Sequence, residues 1–405
     1  MADDAVNPLT EPRWTRVDVI VGVDNPTVGE NQDGQTKDEG SENEPPTNGD
    51  GTICRDCCKQ SCGDKLTIVG SVKGGGDLTF EDIKTFPFFI DEKSQTVVFF
   101  NQSTTAFSGE GASFSDLTST INAAVHNRLN TNSPPNRLWA VAFGGAREDG
   151  PSEADYGGVI AGFDAPVTAR VRGGFLAGWS ETEQREAGLH RIDADAAFIG
   201  VYGRGALGSV FADMIVTAGA TGNDSRRRIL NPLAPGGVEF ASGDYDGYFV
   251  NPELLLGFKA QPLNGLTLLP TLSLAYAGLH LDGFSEQGSA AAISLDERDI
   301  HLLLADAQIE LEKKWKEGAE TWRISGKAGV KARANAGESS AKGVLAGATS
   351  FRIDLDDDTA VAGYVGGGVS YAPSPHFEIF AGGEAAAETT GASVLTGRIG
   401  GSAKF

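Results

Sequence analysis

The sequence is short of most features that would place it quickly. Its four cysteines, Cys54, Cys57, Cys58 and Cys62, all sit in "CRDCCKQSC", so the rest of the chain must hold together without disulfides. No run approaches the ~20 apolar residues of a membrane helix. The longest, "VDVIVGV" (18–24) and "NPELLLGF" (251–258), are of strand length. Bases are outnumbered by acids, 33 to 55, for a formal net charge of −22, which argues against nucleic acid as a partner. The five histidines, His126, His190, His280, His301 and His376, are scattered. Neither a Ser/His/Asp grouping nor a paired-carboxylate rim is legible, so the chain reads as a non-enzyme without a cofactor. The start, "MADDAVNPLTEPRW", has neither a basic n-region nor an apolar h-region, and no secretory signal is readable in it.

What is present divides the chain. Residues 1–64 are polar and turn-rich, as in "VGENQDGQTKDEGSENEPPTNGDGT", and read as a disordered acidic linker ending in the cysteine cluster. Local disulfides among Cys54, Cys57, Cys58 and Cys62, free thiols, or a metal are the open readings there; no histidine lies nearby to complete a zinc site. Residues 65–112 hold short β-like runs, "KLTIVGSVKGGGDLTF" and "SQTVVFFNQSTTAF". Residues 113–136 carry a helix, "SFSDLTSTINAAVHNRLN", which Ser113 or Ser115 would cap. Leu117, Ile121, Val125 and Leu129 form its apolar stripe, with Asn122, His126 and Arg128 off it. "NTNSPPN" ends it.

From Arg137 to Phe405 the hydrophobic period becomes two. "HLLLADAQIELEKKW" sets Leu303, Ala305, Ala307, Ile309 and Leu311 against Asp306, Gln308, Glu310 and Glu312. "TWRISGKAGVKARA" sets Trp322, Ile324, Ala328 and Val330 against Arg323, Lys327, Lys331 and Arg333. Short connections such as "GRGA" (203–206), "KEGAE" (316–320) and "APSPH" (372–376) alternate with longer ones at 146–155, 180–188, 219–243, 280–298 and 335–358. The count is twelve strands. Aromatics fall at strand ends in the apolar register: Trp139, Phe163, Tyr202, Phe258, Trp315, Trp322, Tyr371, Phe377 and Phe405 by the short turns, and Trp179, Tyr248 and Tyr276 at the opposite rim. Two girdles about an apolar band fit tilted strands in a bilayer. The expectation is all-β: a twelve-stranded antiparallel transmembrane β-barrel over 137–405, with an α-helix in its lumen and a largely disordered polar segment before it.

Residues 113–405 resemble the translocator unit of a bacterial autotransporter (type V secretion). The linker helix, "NRLWAVAFGG", "TAVAGYVGGGVSYAPSPHFEIFAGGE" and the last strand carry the likeness. The resemblance implies an outer-membrane pore that carries its own N-terminal passenger to the cell surface and is then plugged by the linker helix. A porin-like channel is the alternative. It also implies a Gram-negative outer membrane as location, with outer-membrane lipid, periplasmic chaperones and the barrel assembly machinery as partners, and a monomeric barrel. Arg398, Gly400, Ala403 and Phe405 match the terminal assembly signal, in which Phe405 is the recognition residue.

With the polar register facing inward, pairing across "KEGAE" sets Glu312 near Arg323 and Gln308 near Lys327, with Asp306 and Glu310 beside the basic row. Arg128, near the helix C-terminus, has Glu310, Glu312 and Glu378 as expected partners at its height.

Overall fold

The computed structural model describes residues 107–404, except 108, 131–136, 231–233, 264, 290, 319, 338–339, 346–348 and 355–358, together with the backbone of six short strands upstream. Two units divide the chain, Met1–Phe99 and Phe100–Phe405. In the first, Ile20–Val23 pairs with Leu66–Val69, Ser71–Val72 with Gly76–Asp77, and Phe88–Asp91 with Thr96–Phe99. The readings made for the cysteine cluster and for Phe405 fall outside the described residues.

The second unit opens with a helix, α1 (Gly109–Asn130), and continues as twelve long strands. They are β1 (Arg137–Asp149), β2 (Ser152–Pro166), β3 (Val171–Glu186), β4 (His190–Leu207), β5 (Val210–Leu230), β6 (Val238–Phe258), β7 (Leu266–Leu281), β8 (Arg298–Glu317), β9 (Glu320–Asn335), β10 (Ala360–Ser374), β11 (Phe377–Glu388) and β12 (Ser393–Lys404). Each pairs antiparallel with its neighbours in sequence, and β12 pairs with β1, so the sheet closes. Closure leaves no edge, which a strand wall in lipid requires. Leu254, Leu256, Leu272, Leu274, Ile309 and Ile399 are among the large apolar side chains standing exposed on the outside. A water-facing wall would not carry such a band.

Of the twelve aromatics, nine stand in the outward register, Phe405 lies outside the described residues, and two are corrected. Trp139 and Tyr202 point into the lumen, 3% and 5% exposed, and Trp139 Nε1 donates to the Tyr202 hydroxyl at 2.7 Å. Glycines on the adjoining strands make room for their rings. A Cβ on Gly162 would lie 2.6 Å from the Trp139 ring, and one on Gly174 would lie 2.5 Å from that of Tyr202. Along β4 the greasy residues Ile192, Phe198 and Tyr202 therefore line the interior, while Ile199 and Val201 face out. Alternation alone leaves the two faces of such a strand interchangeable.

Three expected long connections are mostly strand. The chain turns at 150–151, at 187–189 and between Leu230 and Val238, with Gly150 (φ 59°) and Gly188 (φ 66°) in the left-handed region that tight turns need. β2–β6 simply outrun the bilayer, where both faces become polar and look like loop. Beyond the row Val159–Trp179–Ala197–Ala220–Tyr248 lies a cross-strand row of five carboxylates, Asp155–Glu183–Asp193–Asp224–Asp244. It sits four residues, about 14 Å, farther along the strands. The connection 282–297 and the one between Asn335 and Ala360 are long. Their strands Phe284–Ser285, Ile293–Leu295, Ser340–Leu345 and Thr349–Asp354 form a second small sheet at the same mouth.

Candidate functional site

α1 is 22 residues, about 33 Å long, close to the ~30 Å hydrocarbon thickness. It begins one turn earlier than the sequence suggests, so Ser113 and Ser115 lie inside it. Burial is not confined to Leu117, Ile121, Val125 and Leu129; Ser113, Thr118, Asn122 and Arg128 are buried as well. A helix polar on several faces needs partners for them, and the inner wall supplies these at four heights.

At the long-loop mouth, Glu110 receives Arg298 through Nε (3.0 Å) and Nη2 (2.6 Å), and the Tyr245 hydroxyl at 2.5 Å. A carboxylate in the first turn also suits the helix dipole. One to two turns on, Asp116 meets Arg147 at 3.1 Å, which also bonds Glu388 and, at 3.5 Å, Asp149. Thr120 lies 3.0 Å from the Tyr156 hydroxyl, and Asn122 Nδ2 donates to Asn251 Oδ1 at 2.9 Å.

His126 faces carboxylates with both ring nitrogens: Nδ1 is 3.0 Å from Asp213, and Nε2 is 3.2 Å from Glu253, off hydrogen-bond geometry.

At the short-turn mouth, Arg128 grips Asp164 with Nε (2.7 Å) and Nη2 (2.9 Å). Asp164 is fully buried and also accepts from Arg172 Nε at 2.8 Å and from Tyr202 at 3.2 Å. Arg204 then caps the helix end, donating to Leu129 O at 2.9 Å and to Asn130 Oδ1 at 2.8 Å. The expected partners of Arg128, namely Glu310, Glu312 and Glu378, are not the ones it takes. β2 brings Asp164 to the helix, while those three acids lie on β8 and β11. Asp164 was readable only as a lone acid before a tight turn in "AGFDAPV".

The remaining lumen residues form the opposite wall. Arg323 meets Glu312 at 3.3 Å and Glu378 at 3.8 Å. Lys327 pairs with Glu384 at 2.5 Å, and Lys331 also reaches Glu384. Glu310, not Gln308, sits opposite Lys327 in the register, and Gln308 faces Gly329. The Tyr364 hydroxyl donates to Asp306 at 2.8 Å and lies 3.0 Å from Gln308. Between this wall and α1 runs a cavity of about 150 Å³, lined by Asp306, Glu310, Arg323, Lys327 and Arg398 among others. Asn122 Oδ1, His126 Nε2 and Glu253 Oε2, which also line it, have no hydrogen-bond partner in the protein. Water is the natural partner for buried polar atoms beside such a space.

Of the terminal signal, Arg398 points into this cavity, and Gly400 lies under the Phe380 ring, where a Cβ would meet Cζ at 2.7 Å. Ala403 pairs with Phe377 and Leu138. Among the described residues no group of His, Cys, Asp and Glu could hold a metal ion.

A closed strand wall with an apolar exterior and a charged, helix-occupied interior defines a transport barrel of the outer-membrane kind. The family model of the autotransporter β-domain matches residues 138–384, and the chain belongs to that family. Its barrel is therefore an outer-membrane translocator domain. Among solved structures it is similar to the translocator domain of the autotransporter NalP from Neisseria meningitidis (19% identity, TM-score 0.59, 74% of this chain and 99% of that one). It is also similar to the β domain of the Bordetella autotransporter BrkA (14% identity, TM-score 0.52, 67% of this chain and all of that one). At these identities the likeness concerns the fold. No curated protein matches the sequence.

Proposed function

We propose that this barrel is the pore through which the chain's own N-terminal segment passes to the cell surface, and that α1 remains in the bore as its plug. One observation carries the reading: α1 lies inside the wall with buried ion pairs at both ends, Glu110–Arg298 and Arg128–Asp164. A chain that crosses from the short-turn mouth and stops there would end in this arrangement. The short-turn mouth then faces the periplasm, the long loops face outward, and residues upstream of Phe107 emerge at the surface. The cavity beside α1 makes the plug wet, so a small residual ion leak is expected.

Full-length protein in planar bilayers tests the proposal. The wild type should dwell in a low-conductance state, and deletion of 109–130 should give a steady, much larger conductance. Equal conductance of the two, with both barrels folded, refutes the plug.

A further inference from the structure

Phe107 precedes α1 at the mouth of the pore, where an exiting chain should be wet, yet it is fully buried. Its ring meets His190 edge-on at 4.9 Å and Phe284 at 6.3 Å, and the Arg298 guanidinium lies 5.3 Å above it. Tyr245 stacks on Phe284 at 4.5 Å and closes the side, with Arg298 over its own ring at 4.9 Å. These residues come from the start of β4, from β6, from the start of β8 and from the 282–297 connection. That connection is tied down by an ion pair with both partners fully buried: Arg227 Nη2 to Glu286 Oε2 at 2.6 Å. Arg227 also donates to Ala291 O, and Glu286 accepts from the Ile293 amide. A buried ion pair is weak evidence for stability. Here its fixed geometry places Phe284 over the exit.

We infer that the long-loop mouth carries a docking pocket for an aromatic side chain of the exported polypeptide. Phe107, seated in it under the 282–297 connection, fixes the register at which the chain comes to rest. The inference builds on the export-and-plug reading above. The chemistry selects a ring: a guanidinium over its face and the edge of an imidazole suit the aromatic quadrupole. An aliphatic side chain fills volume but answers neither. Arg298 serves both neighbours, holding Glu110 of α1 with its edge and covering Phe107 with its face. Pocket and helix are thereby read together.

The test uses full-length protein in planar bilayers, with heat-modifiability confirming a folded barrel. Phe107→Ala should raise the fraction of time in the full-bore state at least tenfold, Phe107→Leu should recover little of that, and Glu286→Gln should act in the same direction. Benzene, which enters apolar holes left by a deleted side chain, should return Phe107→Ala toward wild type and leave Arg128→Glu unchanged. Wild-type gating in Phe107→Ala alongside an opened Arg128→Glu overturns the pocket. So does full rescue by leucine. If deletion of 109–130 also leaves wild-type conductance, with the barrel folded, the plug reading itself fails and the pocket falls with it.

Discussion

Removing the Arg128 guanidinium is the sharpest test of the proposed plug. Arg128 is 1% exposed and Asp164 is fully buried, and they are joined by two charge-assisted hydrogen bonds. Breaking one partner of a buried pair costs ~3–5 kcal/mol. Asp164 is not orphaned, however, because Arg172 and Tyr202 stay on it. The loss should therefore resemble that of hydrogen bonds to a charged group, about 2–3 kcal/mol. At ~1.4 kcal/mol per decade this multiplies the ratio of unplugged to plugged states by roughly 30- to 150-fold. Arg128→Glu goes further by setting a second carboxylate against Asp164. Single-channel recording gives the ratio directly, and a double-mutant cycle of Arg128→Ala with Asp164→Ala should show positive coupling of about 1.5 kcal/mol or more. An unchanged ratio in Arg128→Glu, with the barrel folded, would mean that this clamp does not hold the helix.

Other consequences are less central. Gly162→Ala would drive a Cβ to 2.6 Å from the Trp139 ring and 2.7 Å from Phe175 O, so its heat-modifiability transition should fall by several degrees. His126→Gln removes the imidazole between Asp213 and Glu253 and should raise the open fraction, though less than Arg128→Glu, because Arg204 still holds Asp213. In the water-exposed part of the wall, a hydrogen bond shared with Asp244, and that residue's charge, raise the Asp224 carboxyl above its usual range. A raised acid pKa favours the fold in acid, and that support is lost as pH rises through the folded value. Asp224→Asn should thus stabilise the barrel near neutral pH by no more than ~0.2–1 kcal/mol, discounted for exposure and screened by salt. Thermal melts at neutral and acid pH check this: a gain that persists in acid would refute it.

The barrel was legible because lipid outside forces a period of two over hundreds of residues, and closure follows from the need to leave no edge. The lumen was less so. Where a strand carries apolar residues on both faces, as β4 does with Ile192 and Phe198 inside and Ile199 and Val201 outside, nothing local says which face meets lipid. Aromatics mislead for the same reason. Trp322 and Tyr371 meet in the outer girdle at 4.4 Å with their rings tilted, whereas Trp139 and Tyr202 are drawn in by glycines on neighbouring strands. Helix partners were hardest. Asp164, Asp213 and Arg298 belong to strands distant from α1 in sequence, and only closure brings them round it.

The spacing of the two end clamps explains why one register of α1 is held and its neighbours are not. Glu110 and Arg128 are 18 residues apart, about 27 Å along the helix, each bonded to a fixed arginine or aspartate of the wall. Sliding the helix by one residue shifts both by ~1.5 Å and turns them by about 100°. That displacement breaks both bidentate contacts at once, and strips Asn122 from Asn251 and His126 from Asp213 as well. Intermediate registers recover few of these contacts, and the cavity beside the opposite wall has room for water to solvate whatever is left unpaired. On the proposed export reading, a polar lining would let a chain slide with little friction until both clamps close together. It follows that the clamps should be cooperative. Arg298→Gln should weaken the hold of Arg128 on Asp164, and the two lesions combined should open the bore less than the product of their separate effects. Strictly multiplicative effects would show that each end binds alone.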